Sequence, residues 1–328
     1  MVSTKANDCH TIGGFYGVNG KKLQRQFRDY LSEFKQWEER PHAKEWLIFP
    51  ENIGPYLSID ETALSKGELY TIITNKKAKG KKGSIVAIFS GTKVGPIIEQ
   101  LLKISAQKRA KVKEITLDMA NSMKTIAKQC FPKAIQVTDR FHVQKLALEA
   151  LQDIRIKHRW DAIDLENQQI KQARAKNGTF VPKEFSNGDT RKQLLARSRY
   201  LLYKSPNNWT QNQSERSKIL FAQYPDIKVA FDLVQGLRNI FNTATSIQTA
   251  YTKLAHWYKD VENTGFRAFN TIANTISLNY RSILNYFINR STNASAESFN
   301  AKIKAFRAQF RGVKNVEFFL YRLTTIFA

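Results

Sequence analysis

The sequence predicts an α/β protein: a mixed five-stranded sheet flanked by helices and interrupted by a large all-helical insertion. Three observations predict it. Residues 56–90 carry three strand-like runs with short connections, which favour antiparallel hairpins. Residues 96–157 then alternate helical and strand periods, the mark of a layered α/β arrangement. Residues 158–290 lose the strand signal and keep only helical periodicity.

Composition sets the class of partner. Lys and Arg number 52 against 28 Asp and Glu, a net charge of +24 in 328 residues. Such an excess favours a polyanion, most often nucleic acid. With 42% hydrophobic residues the chain can bury a core, so a disordered basic tail is excluded. Its two cysteines, Cys9 and Cys130, build no disulfide framework, and Cys9-His10 has no second pair to complete a metal site. No apolar run reaches the roughly 18–20 residues of a membrane span. No signal peptide is read either, so the expectation is a cytoplasmic, nucleoid-associated protein without a membrane partner.

The elements follow in order. Residues 1–50 form an N-terminal helical region. Gly17-Val18-Asn19-Gly20 is a turn signal, and Leu23, Phe27, Tyr30, Leu31 and Phe34 then recur at helical spacing beside Lys21, Lys22, Arg25 and Arg28. This could be the second half of a DNA-binding helix-turn-helix or a plain surface helix. The few residues before Gly13 leave too little room for a first helix, so a partial motif is expected. Residues 39–55, broken by Pro41, Pro50 and Pro55, read as a connector.

Residues 51–157 form the first part of the core. Its strands are 56–60, 68–74, 84–90, 113–117 and 134–138, with helices over 96–106 and 120–129 and a long helix starting at 141. The loop "NKKAKGKKG" carries Lys76, Lys77, Lys79, Lys81 and Lys82, either a phosphate contact or a solvated hairpin tip. Residues 158–290 form the helical insertion, with its aromatics (Trp209, Phe221, Phe231, Phe241, Trp257, Tyr258, Phe266, Phe269) at core spacing. Residues 291–328 return to the core as one helix over 294–310, with Ser295 as its cap, Glu297 in its first turn and Gly312 as its stop.

Three acids share a context. Asp60 ends the first strand, Asp118 ends the fourth, and Glu297 lies on the late helix. If the first and fourth strands are neighbours, Asp60 and Asp118 meet, and a helix across that edge brings Glu297 to them. Three carboxylates at one point need a divalent cation, and two such ions about 3.5–4 Å apart suit phosphoryl transfer. Each acid alone reads better as a solvated strand end or a helix cap; the set reads as a metal site. Strand alternation aims Asp60 at the site, and Glu61, where the strand is expected to fray, reads either as a residue behind the site's ligands or as a solvent residue. Asp139, at the end of the fifth strand, and His142 three residues on are accessory candidates, with Asp139 also a helix cap. Asn300 and Lys304 share a helix face with Glu297, and Lys302, Arg307, Arg311 and Lys314 extend the positive charge.

The pieces "SIDETAL", "ITLDMANSM", "FPKAIQVTDRFHVQKL" and "NYFINRSTNASAESFNAKIKAFRAQFRGVKN" resemble the DDE transposases of bacterial insertion sequences, in the ISL-three-type group. The resemblance spans roughly residues 50–325. It implies an RNase-H-like catalytic domain whose triad is Asp60, Asp118 and Glu297. It also implies a D-x-x-H motif at Asp139 and His142, and Lys304 and Arg140 near DNA. The implied cofactor is two Mg²⁺ ions, with Mn²⁺ as an alternative. The implied partners are the element's terminal inverted repeats and target DNA, a homo-oligomer assembled on that DNA, and a separate helix-turn-helix subunit. The expected reaction is metal-dependent cleavage at element ends and strand transfer. The rival readings are an inactive DNA-binding derivative and a metal-dependent nuclease.

Overall fold

A six-stranded mixed sheet carries the first of two units. In the computed structural model, which describes residues 7, 9–65, 67–310 and 313–328, these units are Met1–Asp139 with Asn289–Ala328, and Arg140–Ile288. The strands are β1 (Trp46–Ile48), β2 (Tyr56–Ser65), β3 (Glu68–Asn75), β4 (Ile85–Ser90), β5 (Glu114–Leu117) and β6 (Ile135–Thr138). Their spatial order is β1-β4-β3-β2-β5-β6. β2, β3, β4 and β1 pair antiparallel, whereas β5 runs parallel to both β2 and β6. This mixed sheet and its large helical region are compatible with an RNase-H-like transposase fold.

Two features correct the five-strand expectation. The stretch read as a connector contains β1, which adds an edge strand against β4. Three residues are too few to display an alternation, yet Leu47 between them is fully buried. Second, β2 does not end at Asp60. It continues through Glu61, opposite Thr71, to Ala63, opposite Leu69. β5 stops at Leu117, so β2 overruns its parallel neighbour.

Both sheet faces are covered. On one, Leu57, Ile59, Ile115 and Leu117 pack with Ile97 and Leu101 of α3 (Val94–Leu102) and Met123 and Ile126 of α5 (Asn121–Cys130). Between these helices lies α4 (Ala106–Arg109), set off where Ser105 caps the Lys108 amide. On the other face, Leu47, Ile72 and Ile88 pack with Phe299, Ile303 and Phe306 of α15 (Ala294–Gln309) and Phe319 and Leu323 of α16 (Val316–Phe327). Each fully buried side chain of this size contributes about 1.5–3 kcal/mol. Helix α15 starts at Ala294, so Ser295 lies inside it rather than capping it. Gly312 and Arg311 lie outside the described residues. Helix α16 was not read from the sequence; "VEFFLYRLTTIF" is apolar on most sides because it is buried on most sides, which blurs any 3.6-residue stripe.

At the N-terminus the structure supplies the helix for which the sequence left no room. Helix α1 (Cys9–Tyr16) takes two turns, and α2 (Gly20–Gln26) follows after Gly17 at φ +66°. Asn19 Oδ1 accepts the Lys22 amide at 3.0 Å, and the Val18 amide donates to the Gly13 carbonyl at 2.9 Å. Two glycines make so short a pair feasible. A Cβ on Gly13 would fall 2.5 Å from the Val18 oxygen, and one on Gly20 would fall 2.6 Å from the His10 Cα. The chain leaves α2 through a turn of π-helix (Phe27–Leu31) and docks Phe27 and Phe34 on Phe318. The Arg322 guanidinium, buried, lies 5.4 Å from the Phe27 ring and donates to the Asn7 carbonyl at 3.1 Å.

The second unit is all helical apart from one isolated bridge, Glu184 to Thr190. Its helices are α6 (Arg140–Ala175), α7 (Arg191–Arg197), α8 (Arg199–Leu202), α9 (Gln211–Gln223), α10 (Pro225–Thr243), α11 (Ile247–Thr264), α12 (Arg267–Leu278) and α13 (Tyr280–Leu284); α14 (Tyr286–Asn289) leads out of it. The expected aromatic core is present: Phe231, Phe241, Trp257 and Phe269 are buried, and Trp209 lies 5.5 Å from Phe231. The whole of α6 belongs to this unit, so the division falls at residue 139 rather than 157.

The Gly20 packing gives a test. Gly20→Ala is expected to destabilise the α1–α2 pair by roughly 1–3 kcal/mol, the usual cost of overpacking. Limited proteolysis should then cleave within the first 40 residues faster than in the unaltered chain, while the sheet unit keeps its denaturant midpoint.

Candidate active site

The parallel pairing of β2 and β5 places the acids. Tyr56 pairs with Glu114, Leu57 with Ile115 and Ser58 with Thr116. Extending that register by two residues on both strands sets Asp60 beside Asp118, each half-buried. Alternation puts Leu57, Ile59, Ile115 and Leu117 into the core on one face. Ser58, Asp60, Glu114, Thr116 and Asp118 therefore share the other face, the one that receives the returning chain.

Three asparagines of that returning segment bond this polar face. Asn289 Nδ2 donates to Glu114 Oε2 at 3.1 Å. Asn293, buried, pairs with the Ser58 hydroxyl. Asn300 Nδ2 donates to Asp60 Oδ2 at 2.7 Å, and the other Asp60 oxygen accepts the Glu61 amide at 2.9 Å. Asp118 Oδ1 accepts the Ala120 amide at 2.7 Å, just before α5 begins, where the helix dipole favours its charge. Burial holds the Lys124 ammonium below its ordinary range, and Asp118 pulls it back up.

Of the two readings of Glu61, the structure favours the neighbour of the acids over the solvent residue. Glu61 is half-buried within β2, and burial, then the charge of Asp118, then that of Asp60 push its carboxyl above the ordinary 4.5. Glu297 stands three residues before Asn300 on α15 but is exposed. Among the described residues, no three Asp, Glu, His or Cys side chains converge closely enough to hold a metal ion. The donor set still fits a hard divalent cation in kind. Asp60 within β2 and Asp118 just past β5 offer oxygen on one face, and the Glu61 carboxyl beside them is raised by burial first and by their charges next. Glu297 is the member the fold brings near but not in.

The remaining candidates separate by role. Asp139 is buried at the end of β6, its amide bonded to the Leu117 carbonyl at 3.1 Å. His142, half-buried on α6, stacks edge-on to Phe141 at 5.6 Å. Arg140 NH1 donates to the Tyr286 hydroxyl at 3.3 Å. On α15, Lys304 is exposed, Lys302 Nζ donates to the Gly80 carbonyl at 2.9 Å, and Arg307 NH1 donates to the Ala63 carbonyl at 3.2 Å. In the hairpin loop, Lys77, Lys79, Lys81 and Lys82 are exposed.

Lys76 differs from them. Its ammonium turns inward, donates to Thr116 Oγ1 at 2.7 Å and pairs with Glu114 Oε1 at 3.6 Å, with side chains 15% and 4% exposed. Burial lowers its pKa, while Glu114 and Asp139 raise it. It is a buried ion-pair residue rather than a solvent-facing phosphate contact. The Lys76–Glu114 pairing and the contacts of Asn289 and Asn293 are not among the expectations the sequence supports. The alternation in "EITLD", which places Glu114 and Thr116 on the face of Asp118, was the available signal. Between the hairpin and the returning chain runs an open groove of about 560 Å³, lined by Lys79, Arg290, Ser291, Ser295 and Ser298 among others.

Removing one partner of a buried pair leaves the other charge uncompensated. Glu114→Gln is expected to cost roughly 3–5 kcal/mol in denaturant unfolding, and Lys76→Met in the same chain should return most of it.

Comparison with known proteins places this geometry. A family model described as a transposase, of the DDE and ISL3 type, matches residues 57–323. The transposase of insertion element IS1557 of Mycobacterium tuberculosis is 29% identical over 141 residues, 42% of this chain and 31% of that protein. The transposase of IS1001 of Bordetella parapertussis is 24% identical over 275 residues, 83% of this chain and 61% of that protein. The chain thus spans less than two thirds of the length of these relatives. The match from β2 into α16 covers both acid-bearing strands and the returning helix, and the chain belongs to the ISL3-type DDE transposase family.

Proposed function

We propose that the chain is a DNA transposase that cuts the ends of its element and joins them to target DNA in a divalent-metal-dependent reaction. The observation that carries the reading is the pairing of β2 with β5, which sets Asp60 beside Asp118 in a chain of a transposase family. Asp60, Asp118 and Glu297 would hold Mg²⁺, with Mn²⁺ as a substitute. Two bound ions supply activation of an attacking oxygen and stabilisation of a leaving one.

The chain's own residues do the rest. Asn300 holds one Asp60 oxygen by a hydrogen bond and so restrains that carboxylate. On the same helix Glu297 is exposed and free to swing toward a cation that neutralises the crowded acids. The groove beside the hairpin, with Lys79, Arg290 and three serines, suits a phosphate backbone. Lys77, Lys81, Lys82, Lys302, Lys304, Arg307 and Arg140 add to the positive field, and Asp139 and His142 are the accessory pair. The α1–α2 pair, with Lys21, Lys22, Arg25 and Arg28, is the part that meets the terminal repeats, alone or with a separate helix-turn-helix subunit. Copies of the chain assemble on the DNA ends.

Asp60→Asn, Asp118→Asn and Glu297→Gln should each lower cleavage and joining of labelled element ends by roughly 10³-fold or more, the scale of a lost metal-bound transition-state contact. Variants that still cut and join in Mg²⁺ would defeat the assignment. Hydrolysed ends without any joined product from the unaltered chain would mark a nuclease, and DNA binding without either product an inactive derivative.

Glu61 gives a second test. A carboxyl raised in the fold binds more protons folded than unfolded, so its cost appears as pH climbs from 4.5 through the raised value and is absent below. Glu61→Gln should therefore raise the melting temperature at pH 7 and leave it unchanged near pH 4. Added Mg²⁺ should shrink the gain at pH 7, because a cation offsets the same repulsion. A gain equal at both pH values would overturn the crowding.

A further inference from the structure

The second unit treats its arginines in two ways. Asp189, fully buried, takes two of them: Arg216 Nε at 2.7 Å and Arg197 beside it. Among the described residues most other arginines of this unit have no carboxylate partner, and four of these, Arg155, Arg159, Arg199 and Arg238, lie close together.

These four gather around the segment from α7 to Ser205. Arg155 on α6 is buried, and donates Nε to Gln152 Oε1 at 2.7 Å and NH1 to the Leu195 carbonyl at 2.8 Å. Gln152 Nε2 in turn donates to the Arg199 carbonyl at 3.4 Å. Arg238 of α10 donates to the Tyr203 carbonyl at 2.9 Å and to Ser205 Oγ at 3.0 Å. Arg159 follows Arg155 by one helical turn, and both Arg159 and Arg199 are exposed. The Arg199 guanidinium lies 5.5 Å from the ring of Tyr200, which is itself 67% exposed. Burial lowers the Arg155 pKa, and the positive charges of Arg159 and Arg199 lower it further.

Carbonyls and amides satisfy the N–H donors of Arg155 and Arg238 but cancel no charge. A buried guanidinium with two more in its field is costly unless an anion joins them. Guanidinium groups fork onto phosphate oxygens, and the adjacent exposed ring suits a sugar or base. We propose that this cluster, where α6, α8 and α10 meet, is a DNA-backbone site separate from the carboxylates. Arg159 and Arg199 grip one or two phosphodiesters, and Arg155 and Arg238 fix the carbonyls of the segment beneath them. The identity of the polyanion as DNA rests on the transposase reading.

The test uses the full chain and a random-sequence duplex, with fluorescence anisotropy read across a NaCl series. For R159A/R199A the slope of log K against log salt should become shallower by about 1–2, since each phosphate contact contributes about 0.9. Affinity at low salt should fall roughly tenfold or more. R159K/R199K keeps both charges and should keep the slope. If the alanine pair loses helicity, Arg199→Ala alone carries the same comparison.

An unaltered slope in the alanine variant of a chain that binds DNA overturns this inference and leaves the function standing. An unaltered chain that binds no duplex overturns both. If inorganic phosphate alone binds saturably, and the alanine variant loses that binding yet keeps its DNA slope, the cluster is a free-anion site and the DNA assignment fails.

Discussion

The structure depends on the polar face of two short parallel strands. β2 and β5 bury their apolar residues on one side and present Ser58, Asp60, Glu114, Thr116 and Asp118 on the other. That face is enclosed, so each polar group needs a partner or costs the fold the full loss of its hydration. The partners come from a distance. Lys76 arrives from the neighbouring hairpin, and Asn289, Asn293 and Asn300 arrive after the whole helical unit has intervened in sequence. The returning segment is therefore keyed to β2 and β5 at three points, whereas apolar contact alone would let α15 slide.

That keying has a functional corollary. Asn300 bonds Asp60, so the helix phase that satisfies a half-buried carboxylate also fixes where Glu297 stands, one turn away. The acids then occupy one end of the sheet. Asp118 sits just before α5, and the Glu61 carboxyl is raised by burial first and by the charges of Asp118 and Asp60 next. Carboxylates crowded in this way repel one another, and a cation beside them would lower that repulsion. The Lys76–Glu114 pair works in the opposite sense. It neutralises itself beneath the acids and ties the basic hairpin to the strand that carries Asp118.

Much of this was legible in sequence, for identifiable reasons. β3, β4, β5 and β6 follow from short apolar runs of strand length bounded by turn signals, and α3 and α5 from helical period. The match of Asp60 to Asp118 followed from placing the first and fourth strands side by side. The misses share a cause. β1 is too short to show a period, α16 is apolar on too many sides to show one, and α1 is only eight residues long. The α1–α2 pair is close only because Gly13 and Gly20 lack side chains, a property of two backbones meeting rather than of either segment.

By itself the sequence determined most element types, the basic character that favours a polyanion, and the acids Asp60 and Asp118 on two strand segments. Local propensity and side-chain chemistry are enough for those. Only the tertiary structure decided that Lys76 turns inward while its neighbouring lysines face solvent, and that Glu61 shares the field of Asp60 and Asp118. It also decided that Asn300 is the side chain that meets Asp60. Each of these depends on which strand overruns which and on the phase of a helix returning after a long excursion. Those are set by contacts between residues far apart in the chain, and no local window contains them.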